Sequence, residues 1–274
     1  MVIAVGVSGA AGRMGRRLIA LIAEADDLRL AAAVEQEKSP ALGEDAGEQA
    51  GVGKLGLPVS CQFPPDLDVV VDFSSPEGTL AALRFCSRHT KPIVIGTTGL
   101  GDQERAQVES AAKRIPCLLS PNMSVAMNLL FRLAAEVARA LGPEYDAEIL
   151  ETHHRFKKDA PSGTALKLAE SIAGARGLVL GEVAVFGREG KPGERRREEI
   201  GIHAVRAGDV VGEHTIIFSS LGERLELVHR AHTRDCFVQG ALAAARFLVS
   251  QPPGLYSMAD VLTARSSANS KGQA

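Results

Sequence analysis

The chain has 274 residues, of which 45% are hydrophobic and 23% are charged, a balance typical of globular proteins that bury a core without cross-links. The formal net charge of −2 excludes a general electrostatic attraction to nucleic acid or to an anionic membrane surface. Tryptophan is absent and aromatic residues make up 4%, which disfavours a stacking platform for bases.

The four cysteines lie far apart and include no Cys-x-x-Cys pair, so no disulfide framework is expected. Arginines follow the apolar N-terminal stretch and do not precede it, so we predict no signal peptide. No uncharged apolar run reaches the ~18 residues that a membrane span needs. We therefore expect a cytoplasmic protein that binds neither nucleic acid nor membrane.

The first 120 residues alternate short β-branched runs with helical patterns, which predicts a parallel sheet with crossover helices. Strands are predicted over 2–7, 28–34, 69–73, 92–95 and 117–119, and helices over 13–25, from Pro76 onward and over 102–114. The segment 37–65 is rich in glycine and polar residues, has weak periodicity, and is interpreted as a long loop.

The pattern changes near residue 120, where a long apolar helix over 125–141 begins a second region. A strand (148–153), a helix (165–175) and extended segments (183–186, 200–206, 210–218, 224–231) follow, and then helical patterns over 237–249 and 255–264. Gly208-Asp209 and Gly222-Glu223 are typical of hairpin turns.

The predicted fold class is therefore α/β: a Rossmann-like doubly wound parallel sheet plus a second α+β domain with a mostly antiparallel sheet. The predicted dinucleotide-binding domain covers 1–124 and is completed by 235–274, which returns to helical patterning. The predicted second domain covers 125–234.

Gly9, Gly12 and Gly15 join the first predicted strand to the first helix. Glycines at this turn let a backbone approach a pyrophosphate, and the helix N-terminus supplies amide donors. Glu35 ends the second predicted strand, where an acid binds a ribose diol. This order predicts a dinucleotide site, and the alternative is a glycine-rich helix entry used only for packing.

The same acid bears on the choice of cofactor. A carboxylate beside the ribose repels a 2′-phosphate by about 4 kcal/mol for unit charges ~4 Å apart in an effective dielectric near 20. Gln36 follows Glu35 and is neutral, while the sequence does not fix the reach of Lys38. We therefore expect NADH in preference to NADPH.

Gly96-Thr97-Thr98-Gly99 follows a central predicted strand at the end where open α/β sheets bind ligands. It contacts the nicotinamide end of a cofactor in one interpretation and is an ordinary strand-to-helix turn in the other.

The densest candidate site runs from Glu151 to Ala165. Two histidines and three cations lie within residues 153–158, directly before a Pro-Ser-Gly-Thr helix start. Free amides and cations suit a carboxylate, and histidine suits proton transfer near neutral pH. His153 and His154 point to opposite faces unless a turn follows His153. The alternative is a solvated basic loop.

The other histidines give weaker signals. His229 and His232 lack the further ligands that a metal site needs, so no metal is expected. His203 and His214 are interpreted as sheet residues. The segment 195–199 is mixed in sign and is interpreted as a solvated loop.

The segments 9–15, 96–99, 148–165 and 206–215 resemble the 4-hydroxy-tetrahydrodipicolinate reductase (dihydrodipicolinate reductase) family of the diaminopimelate route to lysine. The resemblance implies reduction of a cyclic imine dicarboxylate by NADH or NADPH. It also implies that His153 is the proton donor/acceptor and Lys157 the proton donor, and that His154, Gly163 and Thr164 bind a substrate carboxylate. The implied cofactor residues are Gly9, Ala10, Ala11, Gly12, Arg13, Met14, Glu35, Gly96, Thr97, Thr98, Ser120, Pro121, Asn122 and Met123.

The resemblance further implies a homotetramer formed through the sheet of the second domain. The chain departs from the family at Gln36, because members that use NADPH well often have arginine there. Two other functions stay open: a related NAD-dependent dehydrogenase of a small amino dicarboxylate such as aspartate, and a nucleotide-sensing regulator without turnover.

Overall fold

A computed structural model describes residues 2–271 in two compact units. The first unit comprises Met1–Val125 and Arg234–Ala274, and the second comprises Ala126–Thr233. Met1 and residues 272–274, which the predicted first domain includes, lie outside the described residues.

Strands and helices are numbered in chain order. The strands are β1 (Ile3–Ser8), β2 (Leu28–Val34), β3 (Val59–Ser60), β4 (Val69–Asp72), β5 (Ile93–Ile95), β6 (Pro116–Leu119), β7 (Asp146–His153), β8 (Ala184–Phe186), β9 (Ile200–Arg206), β10 (Gly212–Ser220), β11 (Glu223–Ala231) and β12 (Gly254–Tyr256). The helices are α1 (Arg13–Ala23), α2 (Ala46–Ala50), α3 (Pro76–His89), α4 (Asp102–Ala112), α5 (Val125–Leu141), α6 (Gly163–Ala175), α7 (Leu180–Val183), α8 (Asp235–Leu248) and α9 (Met258–Lys271).

The first unit contains a parallel sheet in the order β12-β6-β5-β4-β1-β2-β3. Its central strands are apolar runs, and β4 is buried along its whole length because helices cover both faces. α1 and α8 contribute to the core on one face, and α3 and α4 to the core on the other. The predicted doubly wound parallel sheet is confirmed. The strand order reverses between β1 and β4, and ligands of such sheets bind beyond the carboxyl ends at that point.

The predicted long loop over 37–65 contains two short elements, α2 and β3. The Asp45 carboxylate caps α2 by accepting hydrogen bonds from the amides of Gly47 and Glu48, at 2.9 and 3.2 Å. Gly51 ends the helix in the left-handed conformation. The prediction missed both elements because five and two residues are too short for a hydrophobic period.

The C-terminal prediction also needs correction. Residues 254–256 form strand β12 at the edge of the sheet, and the last helix begins at Met258, not at residue 255. Three residues of pairing with β6 leave no alternating pattern to detect in the sequence.

The second unit contains a mixed sheet in the order β11-β10-β7-β9-β8. β10 pairs antiparallel with β11 and β7, whereas β9 pairs parallel with β7 and β8. A mostly antiparallel sheet was predicted, whereas two of the four observed pairings are parallel. Gly208-Asp209 is not a hairpin turn, because β7 lies between β9 and β10. β7 takes the centre because Ala147, Ile149 and Glu151 on one of its faces are fully buried.

The segment 195–199 was predicted to be a solvated loop, but the side chain of Arg195 is bound to the sheet. The Arg195 guanidinium donates to the Asp146 carboxylate at 2.7 Å and to the Glu148 carboxylate at 2.9 Å. Arg188 and His203 bind the same Glu148 carboxylate, at 2.8 and 2.7 Å. The two arginines and the hydrogen bond to His203 offset the cost of placing a carboxylate against the sheet.

None of the described helices is long and apolar enough to cross a bilayer.

Candidate active site

The glycine-rich turn between β1 and α1 packs closely against the end of β4. Gly9 has a φ of +77°, and a Cβ there would lie 2.4 Å from the carbonyl oxygen of Phe73. A Cβ at Gly15 would lie 2.1 Å from the carbonyl oxygen of Gly9. Gly12 is exposed and begins α1 without a side-chain cap, so its backbone is open to a ligand.

Glu35 lies beside this turn, at the carboxyl end of β2. Its Oε1 accepts a hydrogen bond from the Ala11 amide at 2.9 Å. The bond fixes the carboxylate where the glycine-rich turn and the end of β2 meet, as a ribose-binding acid requires. The side chain stays half-buried, so part of it is open to a ligand.

A cleft of about 960 Å³ opens at this edge of the sheet. Of the predicted cofactor residues, Gly9, Gly12 and Glu35 line it. Residues that the sequence analysis did not assign form another wall, in the β3–β4 segment, in the turn after β4 and along α3: Gln62, Phe63, Ser74, Glu77, Phe85, Arg88 and His89. The rings of Phe63 and Phe85 lie 5.0 Å apart, and those of Phe85 and His89 lie 4.6 Å apart. Only the position of α3 directly after a central strand could have indicated this wall in advance.

The predicted loop at Gly96–Gly99 is tied to the cleft wall through buried Asp72. The Asp72 carboxylate accepts hydrogen bonds from the hydroxyls of Ser74, Thr79 and Thr97, at 2.6, 2.5 and 2.7 Å. The Thr97 hydroxyl also accepts from the Ser74 amide at 2.9 Å. Gly96 packs against Phe73, whose ring a Cβ would meet at 2.3 Å. Thr97 therefore joins two loops with its side chain.

The remaining predicted cofactor residues do not line the cleft. Arg13, Thr98 and Pro121 are exposed, Ala10 and Met123 are buried in the core, and Ala11, Met14, Ser120 and Asn122 are packed or hydrogen-bonded locally. A Cβ at Gly240 in α8 would lie 1.8 Å from the Met123 carbonyl oxygen, so α8 packs directly on this turn.

His153 ends β7 in the second unit and belongs to a buried polar cluster. Its Nδ1 lies 2.5 Å from Oε2 of Glu151, which is two residues earlier on the same face of the strand. Arg206 of β9 donates to both Glu151 oxygens, at 2.8 and 2.9 Å. The rings of His153 and His214 of β10 meet edge to face at 5.3 Å. Glu151, Arg206 and His214 are site residues to which the sequence analysis assigned no role.

The pKa values of these groups follow from burial and charge. Burial lowers the pKa of His214 to about 3, so this imidazole is neutral. Burial also lowers the pKa of His153, although the Glu151 carboxylate acts to raise it. Burial acts to raise the pKa of Glu151, but hydrogen bonds from Arg206, His153 and the Ser162 amide outweigh it and keep the carboxyl ionised.

The chain turns after His153, and the Lys157 amide donates to the His154 carbonyl oxygen at 3.1 Å. The Lys157 ammonium binds both carboxylate oxygens of Asp159, at 2.9 and 2.8 Å. Nδ1 of His154 is buried without a hydrogen-bond partner among the described residues. The charges of Lys157 and Arg206 both bear on His153, which indicates that the turn brings Lys157 near the cluster.

The start of α6 is joined to the same cluster. The Ser162 amide donates to Oε1 of Glu151 at 3.0 Å, and the Ser162 hydroxyl accepts from the Ala165 amide at 3.1 Å. Gly163 is exposed at the first helical position, with no atom within 4 Å of a Cβ built there, and Thr164 follows it. The backbone at Gly163 is therefore open to an anion at the positive end of the helix dipole.

No group of three or more histidine, cysteine or acidic side chains suited to a metal ion occurs within the described residues.

Related proteins cover both units. The dihydrodipicolinate reductase N-terminal and C-terminal families match residues 3–123 and 126–262. The 4-hydroxy-tetrahydrodipicolinate reductase of Magnetococcus marinus is 52% identical over 265 residues, covering 96% of this chain and 99% of the relative. That of Syntrophus aciditrophicus is 49% identical over 263 residues, covering 95% and 98%. The dipicolinate-bound dihydrodipicolinate reductase of Paenisporosarcina sp. TG-14 is 25% identical, with a TM-score of 0.73 over 94% of this chain and 98% of that one.

A doubly wound sheet with a glycine-rich turn and a ribose-type acid, together with a unit that carries a histidine and lysine site, defines a nicotinamide-dependent oxidoreductase. The two relatives are identical to this chain at about half of the aligned positions, and the alignments cover nearly the whole chain. The chain belongs to the dihydrodipicolinate reductase family, as the resemblance of its motifs predicted.

Proposed function

We propose that the chain reduces 4-hydroxy-tetrahydrodipicolinate to tetrahydrodipicolinate with a nicotinamide cofactor, in the diaminopimelate route to lysine. The observation that carries this proposal is the joining of His153 to the start of α6 through Glu151, at 2.5 and 3.0 Å, beside Lys157. The cluster combines a proton-transfer group with an anion-binding helix start. A related structure binds dipicolinate, a cyclic dicarboxylate of the same class as the proposed substrate.

At the substrate, His153 acts as proton donor/acceptor and Lys157 as proton donor, while His154, Gly163 and Thr164 bind a carboxylate. Reduction at a ring carbon leaves negative charge on the conjugated carbon–nitrogen system, which a positioned acid neutralises. Such an acid typically contributes about 10²–10⁴-fold. The Lys157–Asp159 pair places an ammonium in the turn, and His154 offers a buried Nδ1 for a further hydrogen bond.

The cleft of the first unit fits a dinucleotide, because Gly9 and Gly15 allow the close packing of the turn and Gly12 leaves its backbone open. A nicotinamide cofactor supplies the hydride. Gly9, Gly12 and Glu35 contact it directly, and the other proposed cofactor residues shape the turns around it.

NADH is the preferred cofactor. The carboxylates of Glu35, Glu37 and Glu77 line the cleft with the neutral amide of Gln36, while Arg88 lines the wall formed by α3. This excess of negative charge disfavours a 2′-phosphate more than a free ribose hydroxyl.

The chain forms a cytoplasmic homotetramer through the outer face of the sheet in the second unit. Leu150, Val205 and Val228 lie on that face with 38%, 44% and 44% of their surface exposed. Apolar side chains grouped on one face of a sheet are typical of an interface between subunits. The cysteines form no disulfide within the described residues, which agrees with a reducing compartment.

The test is the loss of NADH absorbance with freshly made 4-hydroxy-tetrahydrodipicolinate. Turnover of this substrate, and none with aspartate plus NAD, is the expected result. Reduction of NAD by aspartate would favour the amino dicarboxylate dehydrogenase, and cofactor binding without turnover of either substrate would favour the regulator.

A further inference from the structure

Glu151 is a fully buried carboxylate whose two oxygens are both engaged. Oε1 accepts from the Ser162 amide at 3.0 Å and from Arg206 at 2.9 Å. Oε2 accepts from Arg206 at 2.8 Å and lies 2.5 Å from Nδ1 of His153. Arg206 and Ser162 already offset much of the cost of burying the charge. The contact with His153 is therefore an additional use of the carboxylate.

We propose that Glu151 is a positioning residue: it holds the imidazole of His153 with a proton on Nδ1, so that Nε2 faces the substrate. This inference rests on the proposed role of His153. A carboxylate that accepts from one ring nitrogen fixes both the tautomer and the ring orientation, and leaves the other nitrogen for proton transfer.

The surroundings of the ring support this orientation. Gly212 of β10 lies against the other edge of the imidazole, where a Cβ would meet Nε2 at 3.0 Å and Cδ2 at 3.3 Å. His214 meets the ring edge to face with an interplanar angle of 77°. The ring is thus held at Nδ1 by a charged acceptor, while glycine at position 212 avoids the crowding of Nε2 that a side chain would cause.

The charges around His153 give a pH signature. Glu151 faces it from β7, Arg206 from β9, neutral His214 from β10 and Lys157 from the turn that follows. Burial lowers the pKa of His153, and Glu151 is the carboxylate that acts to raise it. Replacing this carboxylate with a neutral amide must therefore move the pKa of His153 further down.

The first test uses no substrate. NMR of protein labelled with ¹⁵N-histidine shows which ring nitrogen carries the proton, and the spectrum of His153→Asn identifies the signals of His153. We expect Nδ1 protonated and Nε2 unprotonated in the wild type, and loss of this single tautomer in Glu151→Gln. A wild-type proton on Nε2, or an unchanged tautomer in Glu151→Gln, would overturn the proposal.

The second test is kinetic. We expect Glu151→Gln to lower kcat about 10- to 100-fold, which is part of the contribution of an acid–base group. The pKa assigned to His153 in the pH profile should move to lower pH, with KM for NADH unchanged. Glu148→Gln is the matched control, because Glu148 binds His203 and two arginines from the opposite face of β7. Its pH profile should equal that of the wild type.

Gly212→Ala changes no charge, and it is the variant to test if Glu151→Gln does not fold. The added methyl group crowds Nε2, so kcat should fall while Nδ1 stays protonated. An unchanged kcat in Gly212→Ala contradicts the placement of Nε2. An inactive wild type would contradict the proposed function and leave the NMR result to decide on Glu151. An active wild type whose pH profile survives Glu151→Gln would contradict only the positioning role.

Discussion

Lys157 is the side chain that should separate turnover from cofactor binding. Its ammonium binds Asp159 in the turn after β7, whereas the cofactor cleft belongs to the first unit. We expect Lys157→Ala to lower kcat about 100-fold, because a proton donor is lost, and to change the Kd for NADH less than about twofold. NADH absorbance and a fluorescence titration measure the two quantities. The exposed neighbour gives the control, Lys158→Ala, and a wild-type kcat in Lys157→Ala would refute the role of Lys157.

Gln36 should set the choice between the two nicotinamide cofactors. Arginine at this position would bring a cation to the cleft beside Glu35, and a 2′-phosphate gains from it while a free hydroxyl does not. We expect Gln36→Arg to raise the ratio of kcat/KM for NADPH to that for NADH about tenfold. Gln36→Ala, which adds no charge, should leave the ratio near the wild-type value, and the same value in Gln36→Arg would contradict the charge argument.

For single residues, the sequence indicated which side chains carry chemistry better than it indicated which side chains contact them. His153 and Lys157 stand out because of their residue types and spacing. Glu151 precedes His153 by two residues, so their common face could have been inferred from a strand. Arg206 and His214 could not, because each lies more than 50 residues away and reaches the cluster only through the order of the strands.

Among the connections between elements, the hydroxyl of Thr97 joins the loops after β4 and β5. Thr97→Val removes a donor to the buried Asp72 carboxylate and an acceptor for the Ser74 amide. We expect the free energy of unfolding to fall by about 1–3 kcal/mol and the Kd for NADH to rise severalfold. Denaturant unfolding and fluorescence titration check both. Thr263→Val alters an exposed threonine of α9 and should change neither, and equal effects in the two variants would exclude a specific role for Thr97.

The Glu148 cluster on β7 should make stability depend on acid pH. Burial acts to raise the pKa of Glu148, but hydrogen bonds from Arg188, His203 and Arg195 bring it from 4.5 to about 2. A lowered folded-state pKa stabilises the protein above pH 4.5, and this contribution is lost as the pH falls toward 2.

Glu148→Gln should therefore unfold more easily than the wild type at pH 7, by about 2 kcal/mol, with a difference that shrinks between pH 4.5 and 2. Chemical denaturation at several pH values measures it. Glu226 forms an exposed pair with Arg224, so Glu226→Gln should have little effect. A constant difference across the pH range would contradict the assignment to Glu148.

The elements were predictable where one local pattern decided the structure. The parallel strands of the first unit are continuous apolar runs, and α3 begins at a recognisable cap, Ser75. The place of β7 between β9 and β10 was not predictable. A turn that follows one strand and precedes another indicates a hairpin, and the pairing partner lies more than 50 residues earlier in the chain.

For the whole molecule, the exposed face of the second sheet should determine the oligomeric state. We expect a tetramer in sedimentation equilibrium, and Leu150→Lys should shift it to smaller species because an unpaired charge enters an apolar interface. Leu255 is exposed on β12 of the first unit, and Leu255→Lys should remain a tetramer. A monomeric wild type would contradict the proposal that this face is an interface between subunits.

The discontinuity of the first unit has a consequence for its synthesis. α8 packs on β4, β5 and β6, and β12 pairs with β6, yet both elements leave the ribosome only after the second unit. The nascent first 125 residues thus carry Val71 of β4 and Val94 of β5 without the helix that packs on these strands. We expect the second unit, which is continuous in the chain, to acquire its core first. The first unit should need protection from aggregation until its last helices have been translated.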